Sequence, residues 1–174
     1  MKKNLVLILF LSLFYLSRLS SQQLIDYEDI YLENNLAYKY NDEKLFSGIA
    51  QIKKKNGQIS YELEYDKGVI LSQKIYARKK DKGLLREIIY DPQKPYKELK
   101  QLRYFSDVEE TKYFDDKGKR KLIEQRRNGL LFYSCEYLNG KKNGRQICFN
   151  DDGTKTIVEF SNGKKLTNDN KGYN

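Results

Sequence analysis

The residue types that most often carry enzyme chemistry are sparse in this chain, and their spacing does not favour a catalytic site. Histidine is absent, which removes the commonest general base and every triad that depends on one. Pairs of identical carboxylates are sequence neighbours at Glu109-Glu110, Asp115-Asp116 and Asp151-Asp152. Neighbouring residues point to opposite faces of a strand, or to solvent in a turn, so the two members of a pair do not converge on one substrate.

Metal and cofactor sites are not expected either. A calcium site needs several oxygen ligands from one loop, whereas Asn150-Asp151-Asp152 offers three side chains before Gly153 and is typical of a hairpin turn. Two cysteines without histidine do not make a zinc site, and neither standard glycine-rich phosphate loop is present. We therefore expect no catalytic residues, no cofactor, no cofactor-binding residues and no metal ligands.

The two cysteines, Cys135 and Cys148, lie on either side of a predicted hairpin turn. For a hairpin centred between Lys141 and Lys142, paired residue numbers add up to 283, which places the cysteines directly opposite each other. Opposed strand residues have Cα atoms about 4.5 to 5.5 Å apart, within the range of a disulfide. We therefore predict a disulfide. The alternative is a bulge that shifts the register by one and sends the thiols to opposite faces.

The elements that must position these residues are short strands separated by glycine turns. Within residues 137–165, Asn-Gly and Asp-Gly pairs bracket two runs of strand length, residues 145–150 and 154–160. Such pairs enter tight hairpins easily because glycine tolerates positive φ, and asparagine and aspartate do so to a lesser degree. A three-stranded meander is therefore predicted. Strict alternation of polar and apolar residues over residues 58–65 predicts a half-buried strand in the same way.

Glycine spacing indicates an internal repeat. Gly48, Gly57 and Gly68 are separated by 9 and 11 residues, and an aromatic residue stands three positions before Gly68, as it does before Gly140 and Gly163. A period of about 20 to 23 residues is typical of stacked units, none of which can bury a face alone. The predicted turn glycines are Gly48, Gly57, Gly68, Gly118, Gly129, Gly140, Gly144, Gly153 and Gly163.

At these residues the chain resembles the MORN-repeat variant of bacterial proteins that are labelled YwqK-type antitoxins. The matching segments are Phe46-Ser47-Gly48, Lys55-Asn56-Gly57-Gln58, Tyr65-Asp66-Lys67-Gly68, Asn128-Gly129 and the whole of residues 137–165. The resemblance covers roughly residues 45–165. It implies a fold of repeated β-hairpins and an antitoxin or immunity role, and it transfers no functional residues.

The two ends of the chain differ from the repeat region. Residues 1–21 have the composition of a secretory signal peptide, with Lys2 and Lys3 before an apolar run that is too short to span a bilayer. Residues 22–44 are expected to form an N-terminal cap segment, as either a short helix or an irregular strand. The repeat sheet is predicted for residues 45–165 and a disordered tail for residues 166–174.

The middle of the chain is the least regular part. Pro92 and Pro95 each lack a backbone donor, so residues 91–95 are expected to form a loop or a sheet edge. Two strands separated by Ser106-Asp107 are predicted for residues 96–114, with a helical turn at residues 97–103 as the alternative.

Charge adds an expectation about partners. The formal net charge is +9, and loss of residues 1–21 removes three cations and no acid, which leaves +6. Basic groups cluster in or beside the predicted loops, at residues 53–55, 78–80, 117–121, 126–127 and 141–142. Regular stacking would bring some of these loops to one edge, where they would attract anionic ligands. The alternative is that they are solvated loops that guard the sheet edges.

The predicted fold class is all-β, an elongated twisted antiparallel sheet of repeated hairpins. Because a long single sheet leaves apolar area uncovered, and such area usually serves an interaction, we predict an exported, non-enzymatic repeat scaffold that binds another macromolecule. The expected partner is a protein and not a nucleic acid, and no transmembrane segment is expected after signal removal. The alternatives are a cell-envelope binder of anionic glycans or lipid headgroups and a small β-scaffold enzyme. The expected location is periplasmic, outer-surface or secreted.

Overall fold

A computed structural model describes residues 23–77, 83–150 and 152–166. The predicted signal peptide lies outside these ranges, as do nearly all of the predicted tail, the basic loop at residues 78–82 and Asp151. The described residues fold as an all-β structure, as predicted, with a single three-residue 3₁₀ helix at Tyr27–Asp29. Within these ranges, no helix has both the length and the apolar character needed to cross a membrane.

Fourteen strands lie in the described ranges, and they are rich in the β-branched and aromatic residues that suit a pleated surface. In chain order they are β1 (Gln23–Asp26), β2 (Ile30–Glu33), β3 (Leu36–Lys39), β4 (Gly48–Lys53), β5 (Ile59–Asp66), β6 (Val69–Tyr76), β7 (Leu84–Asp91), β8 (Lys94–Tyr104), β9 (Val108–Phe114), β10 (Arg120–Arg127), β11 (Leu130–Leu138), β12 (Lys141–Phe149), β13 (Lys155–Ser161) and β14 (Lys164–Lys165).

Twelve of these strands form one sheet, and from β4 onward each strand pairs antiparallel with the next one in the chain. The prediction of a wholly antiparallel sheet is wrong at one edge, where β1 pairs parallel with β4. A parallel pair needs a long crossover, and here the crossover contains the 3₁₀ helix and a separate two-stranded sheet formed by β2 and β3.

Most of the predicted turn glycines lie in two kinds of turn. Lys67-Gly68, Asn128-Gly129, Asn139-Gly140 and Asn162-Gly163 are two-residue turns in which both φ values are positive, near +50° and +80°. This is the type I′ geometry that matches the twist of antiparallel strands. Gly57, Gly118 and Gly153 instead donate to the carbonyl three residues earlier, at 2.9 to 3.0 Å, in longer turns.

Gly48 and Gly144 are corrections to the predicted list because they lie inside strands β4 and β12. Each faces an aromatic residue on the neighbouring strand, Tyr65 for Gly48 and Phe160 for Gly144. The Asn139-Gly140 turn needs only two residues, so Gly144 falls within the strand that follows it, beside a register shift.

The proline region also departs from the prediction in part. β8 begins at Lys94 and contains Pro95, so the connection after β7 is limited to Pro92-Gln93. The pairing of β7 with β8 shifts register on both sides of Tyr90. This irregularity leaves Pro95 outside the regular ladder, so its missing N–H group breaks no paired position. The two strands predicted around Ser106-Asp107 are present as β8 and β9.

The two faces of the sheet can be assigned from the register, because directly opposed residues share a face. One row of opposed residues crosses ten strands, and the face that carries it is called face A. From β4 to β13 this row consists of Ala50, Leu63, Gln73, Ile88, Gln101, Lys112, Ile123, Cys135, Gln146 and Val158. The opposite face is called face B.

The core lies where the N-terminal segment packs on face A of β4 to β7. Ile30 of β2, Ala37 of β3 and Phe46 are buried against Tyr65 and Ile70, together with Ala50, Ile88 and Tyr90. Backbone hydrogen bonds hold this cover in place, since Ala37 N–H donates to Gly68 O at 2.8 Å. We call the segment from β1 to Ser47 the N-terminal cover.

We predict that Gly48→Ala destabilises the protein by about 1 to 3 kcal/mol, because a β-carbon at φ +146° would be strained and would overlap the Gln23 carbonyl oxygen of β1. The matched control is Gly118→Ala, where φ is also positive but the β-carbon enters open space. Urea unfolding measures both. Equal midpoints for the two variants would show that the overlap with the Gln23 carbonyl oxygen adds no cost.

Candidate functional site

The part of face A that the N-terminal cover does not reach is the candidate functional surface. It extends over β8 to β13, and we call it the open half of face A. In the row of opposed residues that defines face A, Ile123 and Cys135 are nearly fully buried, although no second layer of described residues lies above them. Long polar and aromatic side chains on the same face, on either side of this row, must therefore shield them.

One such group is centred on Glu110 of β9. Its carboxylate accepts hydrogen bonds from Gln125 Nε2 at 2.9 Å and from Lys112 Nζ at 3.1 Å, and Arg103 lies directly opposite on β8. Burial raises the pKa of Glu110, but the two hydrogen bonds and the nearby cations outweigh burial and hold the pKa below its ordinary value. The group therefore carries a fixed negative charge surrounded by cations.

A second group alternates cations with aromatic rings along one line across β10 to β13. The Arg120 guanidinium lies 4.2 Å from the ring centre of Tyr137, and Tyr137 is directly opposite Lys142. Lys142 Nζ in turn lies 4.9 Å from the ring centre of Phe160. We call these four residues the cation–ring row. Lys165 of β14, opposite Phe160, extends it by one more cation.

The bulge at the start of β10 is what places Arg120 in this row. Pairing of β10 with β9 shifts register between Arg120 and Leu122, so that Arg120 is opposite Phe114. Lys142 is held from the side, since its Nζ donates to Gln146 Oε1 at 2.7 Å on the same strand. Both cations are thus fixed by contacts within the sheet before any ligand binds.

Lys142 of the cation–ring row occupies a position equivalent to that of Phe46 in the N-terminal cover. Gly68 N–H donates to Phe46 O, and Gly163 N–H donates to Lys142 O, both at 2.8 Å. The residue before each of these glycines also donates its backbone N–H to a side chain: Lys67 N–H to Ser47 Oγ, and Asn162 N–H to Asn143 Oδ1. The two acceptors are equivalent, because Ser47 follows Phe46 and Asn143 follows Lys142. Residues 46–68 and 142–163 are therefore two copies of one structural unit.

The two copies differ in what lies over the aromatic ring. In the first copy the Phe46 ring lies 5.9 Å from the Tyr65 ring, and both side chains are buried. In the second copy Lys142 replaces Phe46, and the ring below it belongs to Phe160. An apolar cover in the first unit is thus exchanged for a cation in the second.

The cysteines lie on the open half of face A, but they do not face each other. Paired numbers in the β11–β12 hairpin add up to 281 at this level, so Cys135 faces Gln146 and Tyr133 faces Cys148. The predicted direct opposition is wrong because the tight turn sits at Asn139-Gly140 and the register then shifts beyond Tyr137. Both thiols are free. The thiols also share a face, so the alternative register is not found either.

Burial and the neighbouring Cys135 thiol raise the pKa of Tyr133, so its phenol stays protonated over the physiological range. The pKa of Tyr137 is also raised, by burial first and then by Cys135, although Arg120 acts in the opposite direction. The two tyrosines are therefore neutral hydrogen-bonding groups on this surface.

The carboxylate pairs are dispersed, as their spacing indicates. Glu110 lies on face A, whereas its neighbour Glu109 lies on face B opposite Tyr104. Asp115 and Asp152 accept backbone N–H groups within their own turns, at 2.8 to 2.9 Å. No cluster of three or more acids and cysteines close enough for a metal ion occurs in the described ranges.

The basic segments are divided between the two ends of the strands. Because successive turns alternate between these ends, residues 53–55 and 126–127 lie at one end and residues 117–121 and 141–142 at the other. Some basic segments therefore do share one side of the sheet, as expected. Sequence reasoning missed the cation–ring row, which draws one side chain from each of four strands. The available signal was the equivalence of Phe46, two residues before Gly48, with Lys142, two residues before Gly144.

Comparison with known proteins adds no relative, since no family model and no curated protein match this chain. The resemblance to the MORN-repeat variant therefore stays a prediction, and the surface has to be interpreted from its own chemistry.

We predict that the native protein reacts with an alkylating reagent at one thiol, because Cys148 is half-buried and Cys135 is fully buried. A second thiol should react only after denaturation. Intact-mass measurement without reductant counts the adducts in both states. A denatured protein that takes up no label would show a Cys135–Cys148 disulfide instead.

A pH-dependent loss of stability is predicted for Glu110→Gln. Because the folded pKa of Glu110 is depressed, its contribution is present above its unfolded pKa of about 4.3 and is lost as pH falls through the folded value. We expect a loss of about 1 kcal/mol at neutral pH that disappears in acid. Urea unfolding from pH 3 to pH 7 measures it, with Glu109→Gln as the control on the same strand. A pH-independent loss would contradict this assignment.

Proposed function

We propose that this protein is a non-enzymatic repeat scaffold that binds another macromolecule through the open half of face A. The observation that carries the proposal is the difference between the two structural copies. The first copy is sealed by the N-terminal cover, and the second presents the cation–ring row.

The energetics of the two covers support this proposal. Burial of a phenylalanine side chain contributes about 1.5 to 3 kcal/mol, whereas a cation over an exposed ring contributes about 0.5 to 1 kcal/mol. Stability alone would favour an apolar residue at Lys142, as at Phe46. A cation at this position is better explained by a contact with a partner.

The sequence supplies the remaining parts of the proposal. The composition of residues 1–21 favours export to a periplasmic, outer-surface or secreted location. A protein is the proposed partner, and an antitoxin or immunity role is the form of binding that the MORN-variant resemblance implies.

Site-specific photo-crosslinking tests the proposed binding face. We expect p-benzoylphenylalanine in place of Tyr133, on the open half of face A, to give a discrete light-dependent adduct in the native cells. The same substitution at Tyr104, on face B, is the matched control and should give none. Adducts from Tyr104 alone, or from neither position, would overturn the proposal.

A further inference from the structure

The cations of the cation–ring row form no ion pair with the described residues. Among the described residues, no carboxylate lies within 4.0 Å of the Arg120 guanidinium or the Lys142 ammonium. Arg120 Nε is also buried without a hydrogen-bond partner in the described ranges. Lys165 at the end of the row is exposed and has no described ion pair. A row of fixed cations without counter-charges is complementary to an anionic partner.

We propose that this row binds an acidic polypeptide segment that runs across strands β10 to β14, with carboxylates on Arg120, Lys142 and Lys165. The inference rests on the proposed function and names the chemistry of the partner. Arg120, whose guanidinium carbon lies 4.2 Å from the centre of the Tyr137 ring, has a planar fork that can hold a carboxylate through two hydrogen bonds. Lys142 has donors left beyond its bond to Gln146.

The spacing of the cations favours a polypeptide. Arg120, Lys142 and Lys165 belong to alternate strands of the sheet, and adjacent strands lie about 4.8 Å apart, so the cation-bearing positions recur roughly every 10 Å. A chain in the extended polyproline II conformation advances about 3.1 Å per residue and completes a turn every three residues, so side chains at every third position lie on one side, about 9 Å apart. A segment with an acid at every third position therefore matches the row.

Other anionic partners match the row less well. A sugar that binds by stacking needs an open aromatic face, and a cation already occupies one face of each ring. Attraction to an anionic membrane depends on the number of cations near the surface and not on their regular spacing. The order in the row therefore favours an extended acidic peptide.

The test uses two labelled peptides of identical composition, one with glutamate at every third position in a glycine–serine background and one with its glutamates contiguous. Fluorescence anisotropy with the full-length protein measures binding. We expect the spaced peptide to bind more tightly than the contiguous peptide. Its affinity should fall steeply with added salt, because the contacts are ionic.

The variant Arg120→Ala/Lys142→Ala should weaken binding of the spaced peptide by about tenfold or more, because it removes two charge-assisted contacts. The matched control is Arg145→Ala/Lys155→Ala, which removes the same charge from face B of β12 and β13 and should change affinity by less than about twofold. The single variant Arg120→Lys keeps the charge but loses the planar fork, and it should have an intermediate effect. Circular dichroism of each variant confirms that the sheet is retained.

Three results would overturn the inference: equal losses in the two double variants, equal binding of the two peptides, or binding of alginate or phosphatidylglycerol vesicles through the row when the spaced peptide does not bind. Failure here is distinguishable from failure of the proposed function. A crosslinked partner at Tyr133 that survives Arg120→Ala/Lys142→Ala would keep the scaffold function and reject the acidic segment.

Discussion

A sheet of twelve strands must find cover for its apolar residues without a second sheet of comparable size. Its connections are mostly tight turns, so the cover has to come from a chain end, from long side chains on the sheet or from a partner. The first solution operates over β4 to β7, where the N-terminal cover buries Tyr65, Ile70 and Ile88. The second operates over β9 to β13, where Ile123 and Cys135 are buried by neighbouring side chains. The proposed partner would be the third source of cover.

Face B solves the same problem with polar pairs. Tyrosine hydroxyls of neighbouring strands donate to glutamates on this face, as Tyr76 does to Glu62 and Tyr104 to Glu87, the latter at 3.4 Å. These pairs let large rings lie on the sheet while each hydroxyl keeps a hydrogen-bond partner. Burial and the nearby Glu87 raise the pKa of Tyr104 to about 12, so the phenol remains a donor at neutral pH. These pairs satisfy polar groups of face B, although Phe149 and Ile157 on the same face remain exposed.

The two structural copies share their turn geometry but differ in the residue that lies over the aromatic ring. The type I′ turns at Gly68 and Gly163 each donate one backbone N–H to the residue two positions before an in-strand glycine. That residue is free to change, because only its carbonyl oxygen is used in the bond. Phe46 and Lys142 occupy the same place with opposite chemistry. A repeat of this kind can therefore alternate sealed and open units without altering its backbone.

Local patterns were enough to predict most strands and turns, because the alternation of residues 58–65 and the positive φ of Asn-Gly pairs depend only on neighbouring residues. Tertiary structure decided the parallel pairing of β1, the place of Pro95 in a strand and the offset of Cys135 from Cys148. These features depend on crossover path and on register shifts that no local pattern specifies. The cation–ring row is of the same kind, since its members come from four strands and meet only when the register of the whole meander is fixed.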